Sequence, residues 1–542
     1  MPSTPTSKSQ VQAYRFMLKR MESALVRKDS VMMHDPMGSH MRSAVVGVLL
    51  AMVAAIGFVL FAVLSPAGSV PESNGVVIGK QSGAVYALIN DANNKPRLVP
   101  TFNVTSARLI LLANSSGGGG ASAQGGSSPA AAAPSVVDDD ALQGLPRDKK
   151  QGIVDGPQLL PVGPQRVSND WAVCDTLPDN ATATSGTPTT TVLGGVPNIG
   201  NEIDSSDQFL VTPNAGKDYY LIFRKSQYSH NPELKNSAVV KAKVDMSSSA
   251  AGTYQLRKQD ARPISSAVLN AIPGTIDMTA PDIIGHGQTP SYSVPAGAKI
   301  GEILRTKQLD GSTQSYVLTA TGKHLVSPQA AQAVEDVHGS PKHDVGSNDV
   351  VGIPDDTSYL PVDDYPTQVA SGTPLSSADY PSMCAVWSYP NNAPSLTVRI
   401  TQNHQPVVPA GKAPMKLSNP STAGQLVSNF YLPTGQAAVV RDSTSSADAA
   451  AGPIYIISDL GVKYGFASSL TGMTPDQVAA GIGLGDPTSY PPAPDAIIRL
   501  LPQGTALDPA AALRTYDTMQ PPATAGNYPN SLPGQQQQTG GN

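Results

Sequence analysis

Three glycine–lysine pairs come nearest, in residue type, to a phosphate-binding loop. Such a loop needs the pattern G-x-x-x-x-G-K-[S/T], because its backbone amides hold the phosphates and its hydroxyl binds magnesium. The pairs, each with the residue that follows, are Gly216-Lys217-Asp218, Gly322-Lys323-His324 and Gly411-Lys412-Ala413. None of them supplies the hydroxyl, so we interpret them as turn glycines beside surface lysines. Gly481-Ile-Gly483-Leu-Gly485 lacks G-x-G-x-x-G spacing and is predicted to end a helix.

Other residue types that carry out catalysis or bind metals are present but are not grouped as such chemistry requires. The eight histidines form no H-E-x-x-H pattern, and His286 is predicted to be a loop histidine. Asp138–Asp140 and Asp363-Asp364 suggest acid pairs or a calcium site, but their flanks lack the ligand spacing of a calcium loop. We predict that these carboxylates are solvated. The sequence therefore predicts no catalytic residue, no metal ligand and no cofactor site.

The two cysteines, Cys174 and Cys384, have matching surroundings. The first closes Trp171-Ala-Val-Cys174 and the second opens Cys384-Ala-Val-Trp387. Both lie in the part of the chain that we predict to be outside the cytoplasm, where disulfides persist. We predict a disulfide, which would close a loop of about 210 residues and contribute at most roughly 5 kcal/mol through chain entropy. The alternative is a pair of free buried thiols, since metal binding needs more ligands than these two.

One apolar segment places the chain relative to a membrane. Ala44–Leu64 has no charged, strongly polar or proline residue, and as a helix its roughly 21 residues would span about 31 Å, close to the ~30 Å hydrocarbon core of a bilayer. Seven Lys and Arg residues precede it, and the next cation is Lys80. We therefore predict a single-pass protein whose N-terminus is cytoplasmic. A buried core helix and a cleaved signal peptide are the alternatives.

The bulk composition restricts the class of function. Charged residues make up only 14% of the chain and the net charge is −5, so no broad basic field exists for nucleic acid. Gly and Pro, 49 each, exceed average usage, which predicts a loop-rich and mostly β outer region with short helices. Aromatic residues are only 5%, which favours several small cores over one large core.

The cytoplasmic N-terminus, residues 1–43, contains a segment with helical periodicity. From Ser9 to Lys28, apolar residues recur every three or four positions and cations occupy the other face. We predict that this apolar stripe docks on a cytoplasmic partner. A helix that lies on the inner leaflet and a marginally ordered leader are the alternatives. The residues of the stripe are Val11, Tyr14, Leu18, Met21 and Leu25.

A strand–turn–strand–helix pattern occurs four times beyond the predicted membrane segment. The four ββα units are residues 82–112, 217–246, 314–338 and 453–485. Their predicted helices begin after Asn103, Asn236, Ser327 and Thr474, residue types that cap helices. Four related units of this length predict a repeat protein.

The remaining segments form a linker, a central domain and a tail. Residues 114–134 are rich in Gly, Ser and Ala, which predicts a flexible tether. Gly152-Ile-Val-Asp155 before Cys174 is echoed by Gly352-Ile-Pro-Asp355 before Cys384. The echo predicts a β-rich central domain with internal two-fold pseudo-symmetry, made of residues 135–216 and 350–450 and including a strand at 437–440. A closing strand and helix at 495–519 and a disordered tail at 520–542 follow.

Six motifs spread over nearly the whole chain carry a family resemblance. They are Ser65-Pro66-Ala67-Gly68, Ser82-Gly83-Ala84-Val85-Tyr86, Ser106-Ala107-Arg108-Leu109-Ile110, Trp171-Ala-Val-Cys174-Asp175, Gly461-Val-Lys-Tyr-Gly465 and Leu500-Leu-Pro-Gln-Gly504. Together with the short amphipathic N-terminus and the single apolar segment, they resemble the EccB family. That family is a membrane component of type VII (ESX) secretion in mycobacteria and their relatives. The tether and the polar tail depart from it in length.

The resemblance implies a fold, a location and partners. The fold is one transmembrane helix plus an α+β extracytoplasmic region, in which four small repeats, likened to the cell-wall-binding fold of a phage lysin, flank the central domain. The family disulfide carries over to Cys174 and Cys384. The implied location is the inner membrane, with the outer body periplasmic. The implied partners are an EccC-type motor ATPase, EccD, EccE, in some systems a mycosin protease, and further copies of the chain.

The function that the resemblance implies is structural. We expect a core subunit that scaffolds the secretion machine through its membrane helix and oligomerises in the periplasm. A peptidoglycan-binding anchor is one alternative. An ATP hydrolase is another, because some family members are labelled ATPases, although the residues above provide no Walker A loop.

Overall fold

The computed structural model describes most of the chain in two compact units, Met1–Ser69 and Val70–Asn542. The tail at 520–542, the motif at 65–68 and most of the predicted tether lie outside the described residues. The described residues are 7–28, 36–64, 70–71, 73–91, 95–117, 130–167, 169–178, 186–204, 207–234, 238–369, 381–388, 397–403, 407–418, 427–444, 451–470 and 472–518.

The N-terminal unit contains two helices, α1 (Lys8–Arg27) and α2 (Pro36–Leu64). α1 begins with a capping box: the Ser7 side chain accepts from the Gln10 N–H, and the Gln10 side chain accepts from the Ser7 N–H. α2 begins at a proline, whose missing N–H costs nothing at the first helical position. Within the described residues, no helix combines the length and the apolar character needed to cross a membrane. The predicted span stays a prediction.

The second unit is built mainly from short strands. Their bounds are β1 (Gly75–Gly79), β2 (Val85–Asn90), β3 (Pro96–Pro100), β4 (Ser135–Val137), β5 (Lys150–Gln151), β6 (Trp171–Thr176), β7 (Thr189–Gly194), β8 (Asn201–Glu202), β9 (Phe209–Thr212), β10 (Tyr220–Arg224), β11 (Val239–Lys243), β12 (Arg262–Pro263), β13 (Ile303–Lys307), β14 (Thr313–Leu318), β15 (Lys323–Val326), β16 (Lys342–Asp344), β17 (Ser382–Ser388), β18 (Thr397–Asn403), β19 (Met415–Lys416), β20 (Asn429–Tyr431), β21 (Ala438–Ser443), β22 (Ile454–Ile457), β23 (Lys463–Gly465), β24 (Pro492–Pro494) and β25 (Thr515–Tyr516).

The helices of this unit are short. They are α3 (Val104–Gly117), α4 (Asp139–Leu142), α5 (Ser249–Thr253), α6 (Ser266–Ala271), α7 (Pro328–His338), α8 (Ser347–Val351), α9 (Pro475–Ala479), α10 (Asp495–Ile498) and α11 (Pro509–Ala512), with a π-helical turn at Ala480–Leu484 and 3₁₀ turns at Gly163–Gln165, Pro232–Leu234, Lys258–Asp260, Pro295–Gly297, Pro361–Asp364 and Pro487–Ser489.

Four four-stranded sheets share one strand order. In each, three consecutive strands form an antiparallel meander, a helix follows, and a fourth strand pairs in parallel with the first. The orders are β3-β2-β1-β4, β11-β10-β9-β12, β15-β14-β13-β16 and β23-β22-β21-β24. We call these sheets, with their helices α3, α5, α7 and α9, R1, R2, R3 and R4.

R1 to R4 contain more strands than the predicted ββα units. The units at 82–112 and 314–338 identified the second and third strands and the helix, but missed the first and fourth strands. Fourth strands of two or three residues are too short for an alternating pattern to stand out. Val239–Lys243, predicted as a helix after Asn236, is strand β11, because its Val-rich segment pairs with β10.

Helix caps were predicted more reliably. The Asn103 side chain accepts from the Ser106 N–H at 2.8 Å, Ser327 caps α7, and Thr474 caps α9 together with Gln477. Each of these side chains satisfies an N–H that the helix itself leaves without a partner. Two other predictions were wrong: residues 437–440 lie mainly in β21 of R4 rather than in the central sheet, and the predicted closing strand at 497–504 is instead the end of helix α10 followed by a turn.

A seven-stranded sheet, in the order β19-β20-β7-β6-β17-β18-β8, lies at the centre. In its middle pair, β6 and β17 run antiparallel. Side chains alternate between the two faces: Trp171 and Val173 enter the largest core, whereas Ala172 and Cys174 enter a smaller cluster on the other face. Both faces of the middle strands are therefore buried, which explains why β6 has no polar alternation.

The four outer sheets pack in two pairs around this centre. R1 and R4 contribute to one hydrophobic core, and R2 and R3 contribute to another. Residues of R2 and R4 also enter the core of the central sheet. Along the chain, the first half of this unit contains R1, β6, β7 and R2, and the second half contains R3, β17, β18 and R4. The two halves therefore have the same kinds of element in the same order, and they meet where β6 pairs with β17.

Candidate functional site

Cys174 and Cys384 form a disulfide in the middle of the central sheet. They are directly opposite in the β6–β17 register, with Cα atoms 4.0 Å apart, and both side chains are fully buried. The bond joins segments separated by 210 residues. It therefore closes the segment that contains R2 and R3 into one covalent loop.

The five stripe residues of α1 are all exposed, and none of the residues of this helix is buried. The exposed fractions are 39% for Val11, 63% for Tyr14, 43% for Leu18, 51% for Met21 and 82% for Leu25. No described residue covers this face.

The glycine–lysine pairs lie between strands. Gly216 has a φ of +85° in the turn that leads into β10, and Gly411 has a φ of +74° in the loop between β18 and β19. A phosphate-binding loop instead leads into a helix N-terminus. Lys217 and Lys412 are exposed, as predicted. Lys323, by contrast, is buried and is not a surface lysine. Its ammonium donates to the Ile353 carbonyl at 2.8 Å and pairs with the Asp355 carboxylate at 2.7 Å.

The prediction that Asp363 and Asp364 are solvated was also wrong. Both carboxylates are buried and surrounded by donors. Asp363 accepts from His324 Nε2 at 2.8 Å and from the Leu360 N–H at 2.9 Å. Asp364 accepts from the hydroxyls of Thr275 and Tyr359 at 2.6 and 2.8 Å. Donors from nearby residues and, through His324 and Thr275, from distant ones replace the water that the sequence analysis assigned to these groups.

His324 has an acceptor at each ring nitrogen. Nε2 faces the Asp363 carboxylate and Nδ1 faces the Asp356 carbonyl, both at 2.8 Å. Only the imidazolium can donate to both. Burial lowers the pKa of His324. The hydrogen bonds and negative charges of Asp363 and Asp356 raise it by more in total, so the net shift is upward. His286, by contrast, lies in a turn as predicted and stacks on His338, with ring centroids 3.8 Å apart.

One position on the third strand is equivalent in all four outer sheets. In each sheet, the residue at this position pairs with the middle-strand residue that lies two positions after a tyrosine. The same third-strand residue also forms a parallel bridge with a later segment of the chain. Lysine occupies it in R2, R3 and R4, whereas R1 has leucine. The pKa of Lys241 is lowered to about 8, chiefly by burial and further by the charge of Arg499. The four residues are Leu98, Lys241, Lys323 and Lys463.

Buried ion pairs attach strands to neighbouring elements. Arg262 of R2 contacts Asp175 of the central strand β6 at 2.7 Å, and the second oxygen of Asp175 accepts from the Ser265 N–H at 2.9 Å. Both side chains are almost wholly buried. Because an uncompensated buried charge is costly, the pair fixes R2 against the central sheet. The sequence analysis missed Arg262, which stands 87 positions from its partner.

Arg108 lies at the seam between R1 and R4. Its guanidinium is buried and donates to the backbone carbonyls of Ile482 at 2.6 Å and Ala132 at 3.3 Å. Gly483, with a φ of +92°, permits this approach, because a Cβ there would lie 2.7 Å from the Arg108 Nη1. The glycine-rich segment at 481–485 thus ends a helix, as predicted, and also receives an arginine from another sheet.

Neither of two open cavities lined by described residues contains a catalytic constellation. One, of about 380 Å³, lies at an end of R2 and is lined by Lys217, Asp218, Lys243 and Asp277 among others. The other, of about 350 Å³, is formed by residues from R2 and R3, including Arg224 and Ser327. No group of three His, Cys, Asp or Glu side chains in the described residues is arranged to hold a metal ion. The polar groups of this unit mainly hold its parts together.

Comparisons with known proteins point to one family. A family model described as "Type VII secretion system ESX-1, transport TM domain B" matches residues 3–521. The chain is 27% identical over 529 residues to the "ESX-1 secretion system ATPase EccB1" of Mycolicibacterium smegmatis, covering 95% of this chain and 96% of that protein. It is 26% identical over 524 residues to the EccB1 of Mycobacterium tuberculosis, covering 95% of each chain.

Solved structures show the same fold. A chain of an intact ESX-5 inner membrane complex superposes with a TM-score of 0.64 at 22% identity, covering 98% of this chain and 99% of that chain. A chain of an EccB3 dimer from the ESX-3 core complex superposes with a TM-score of 0.62 at 20% identity, covering 82% of this chain and 100% of that chain. At these identities the likeness concerns the fold alone.

Proposed function

This chain belongs to the EccB family of type VII secretion, and on that premise we propose that it is a structural core subunit of an ESX-type inner-membrane complex. The observation that carries the proposal is the length of the match. The family model covers residues 3–521, and the fold matches 98% of the chain to a component of an intact inner membrane complex. Because the match extends over nearly the whole chain, the role is proposed for the whole body and not for one of its domains.

The proposal includes a single membrane span at Ala44–Leu64 with the N-terminus in the cytoplasm. Its support is the apolar sequence together with the environment of α2, whose described side chains, Met41–Ala55, are all exposed. Valine, leucine and methionine account for much of this exposed surface. Surface of this kind on a helix suits a lipid or helical environment. The outer unit then lies in the periplasm.

The proposed role of the outer unit is mechanical. R1 to R4, taken as four repeats, surround the disulfide-linked sheet, and their buried charges are used in internal pairs such as Asp175–Arg262. A body whose parts are fixed to one another in this way can hold neighbouring subunits at defined positions. One structural neighbour is a chain of an EccB3 dimer, which favours oligomerisation with further copies of this chain. The other proposed partners are an EccC-type motor ATPase, EccD, EccE and, in some systems, a mycosin protease.

The test uses the tagged full-length protein in its native membrane. We would extract it in a mild detergent and analyse what accompanies it by sizing and mass spectrometry. The proposal expects a large species that contains a motor ATPase and a many-pass membrane protein. A lone monomer or a small homo-oligomer would contradict it. In that case co-sedimentation of the same preparation with purified peptidoglycan would test the anchor function that the family resemblance raised.

ATP hydrolysis is a second candidate, favoured by one observation: the curated relatives carry the word ATPase in their names. Against it, the glycine–lysine pairs lead into strands or loops rather than into helix N-termini. We expect the full-length protein in detergent to show no turnover of ATP that depends on magnesium. If the protein does hydrolyse ATP, and if Lys217→Met or Lys412→Met abolishes that activity, the protein is a hydrolase instead.

A further inference from the structure

The stripe of α1 has the spacing of a coiled-coil seam. The five residues follow one another at intervals of 3, 4, 3 and 4 positions, so they occupy alternating a and d positions of a heptad. Val11, Leu18 and Leu25 take the a positions, and Tyr14 and Met21 take the d positions. All five a and d positions from residue 11 to residue 25 are thus apolar, as in a helix–helix seam, and Phe16, Met17 and Val26 add apolar surface at f, g and b. The geometry therefore favours another helix as the occupant of this face.

The charges of α1 are placed so that a second copy of the same helix fits. In a parallel pair, a g residue of one helix faces the next e residue of the other. Here those pairs are Gln10 with Arg15, and Met17 with Glu22, and neither brings like charges together. The remaining cations within the heptads lie mostly away from the seam, at b and c positions. They are Lys19, Arg20 and Arg27.

We propose that the α1 helices of two copies of this chain pair in parallel through the stripe, as a short two-stranded coiled coil. The inference rests on the proposed function, because two and a half heptads are shorter than the 3–4 that sustain a coiled coil by themselves. Copies held together elsewhere in an assembly raise the effective concentration of their tethered helices to about the millimolar range, which favours a weak pair. The parallel direction follows because a short segment joins the C-terminal end of α1 to α2, which every copy would place in the same membrane with the same orientation.

The test is site-specific disulfide cross-linking in membranes that contain the full-length protein. The two natural cysteines are already joined and buried, so an introduced thiol has no competitor. Leu18→Cys places a thiol at an a position, and Ser23→Cys places the matched control at f, on the outer side of the pair. Mild oxidation should convert Leu18→Cys into a covalent dimer and leave Ser23→Cys mostly monomeric. Met21→Cys, at a d position, should behave as Leu18→Cys does.

Three other results would overturn the pairing. Equal dimer formation by Leu18→Cys and Ser23→Cys would indicate random collision. A cross-link from Leu18→Cys to a different protein would assign the stripe to that partner. Absence of any cross-link, while a photoreactive lipid labels residue 18, would assign it to the bilayer. In each case, co-isolation of the complex shows whether the proposed function itself still holds. Loss of the complex from the unsubstituted protein would remove both proposals.

Discussion

Cys174 faces Cys384 across the central β6–β17 pair, and their disulfide joins residues 210 positions apart. The bond stands where R2 and R4 also meet the central sheet, since both contribute to the core on its other face. A single covalent link at this place constrains a large part of the unfolded chain.

Removal of the disulfide should destabilise the outer unit without affecting membrane insertion. For the Cys174→Ala/Cys384→Ala double variant we expect a loss of about 2–5 kcal/mol in the free energy of unfolding. The measurement is thermal or urea unfolding of the full-length protein in detergent. Wild-type protein in reducing agent is the matched control and should lose a similar amount. An unchanged melting temperature would refute the stabilising role of the bond.

Removal of one member of the Asp175–Arg262 pair should cost more than removal of an exposed pair. Arg262→Met leaves a carboxylate buried without its cation, and such losses amount to about 3–5 kcal/mol. Arg257→Met is the control, because the pair that Arg257 forms with Asp260 is largely exposed on the arginine side, and exposed pairs contribute about 1 kcal/mol or less. Urea unfolding compares the two variants. Equal effects would contradict the anchoring role of Arg262.

His324 should make stability depend on pH in a specific direction. Burial lowers its pKa in the folded protein, but the hydrogen bonds and negative charges of Asp363 and Asp356 together raise it, so the net shift is upward. The stabilisation is therefore complete below the unfolded pKa of about 6.5 and is lost as the pH rises through the folded value. His324→Gln should remove this part of the pH dependence. His230→Gln, at an exposed residue, should retain it, and identical pH profiles for all three proteins would contradict the assignment.

Lys241 should destabilise the folded state near neutral pH. Burial lowers its pKa to about 8, so the unfolded chain binds more protons between that value and about 10.4, and stability should rise with pH across this window. Lys241→Met should remove the rise and unfold at an equal or higher urea concentration at pH 7, since R1 has leucine at the equivalent position. Lys412→Met is the exposed control. A strongly destabilised Lys241→Met protein would show that its bond to the Leu269 carbonyl matters more.

Charge placed on the α1 stripe should weaken the assembly of the complex, because it removes one of the contacts that hold the copies together. The Leu18→Asp/Leu25→Asp variant introduces two carboxylates at a positions, where a paired helix would have to bury them. Ser23→Asp puts the same side chain on the opposite side of α1 as the control. Sizing of the detergent extract should show a smaller species for the first variant only. Normal assembly of both would mean that α1 acts as a leader.

The sequence predicted local features better than long-range ones. The cap residues Asn103, Ser327 and Thr474 were recognised because a cap bonds within three residues of itself. The buried states of Lys323 and Asp363 were missed. Asp363 accepts a hydrogen bond from His324, which lies 39 positions away, and no local sequence pattern predicts a contact between residues so far apart. The family match supplied the architecture, which composition and periodicity indicated only as short strands with capped helices.

The shared core of R1 and R4 has a consequence for the order of folding. R1 is synthesised first and R4 last, yet Leu109 and Ile110 of R1 pack in the same core as Ile456 and Val478 of R4. R2 and R3 are neighbours in the chain, so they can complete their common core during synthesis. R1 must wait for the C-terminal segment, whose strand β25 pairs with β5. Until then its helix α3 presents an apolar face, so a chaperone that shields the nascent chain would find its binding site there.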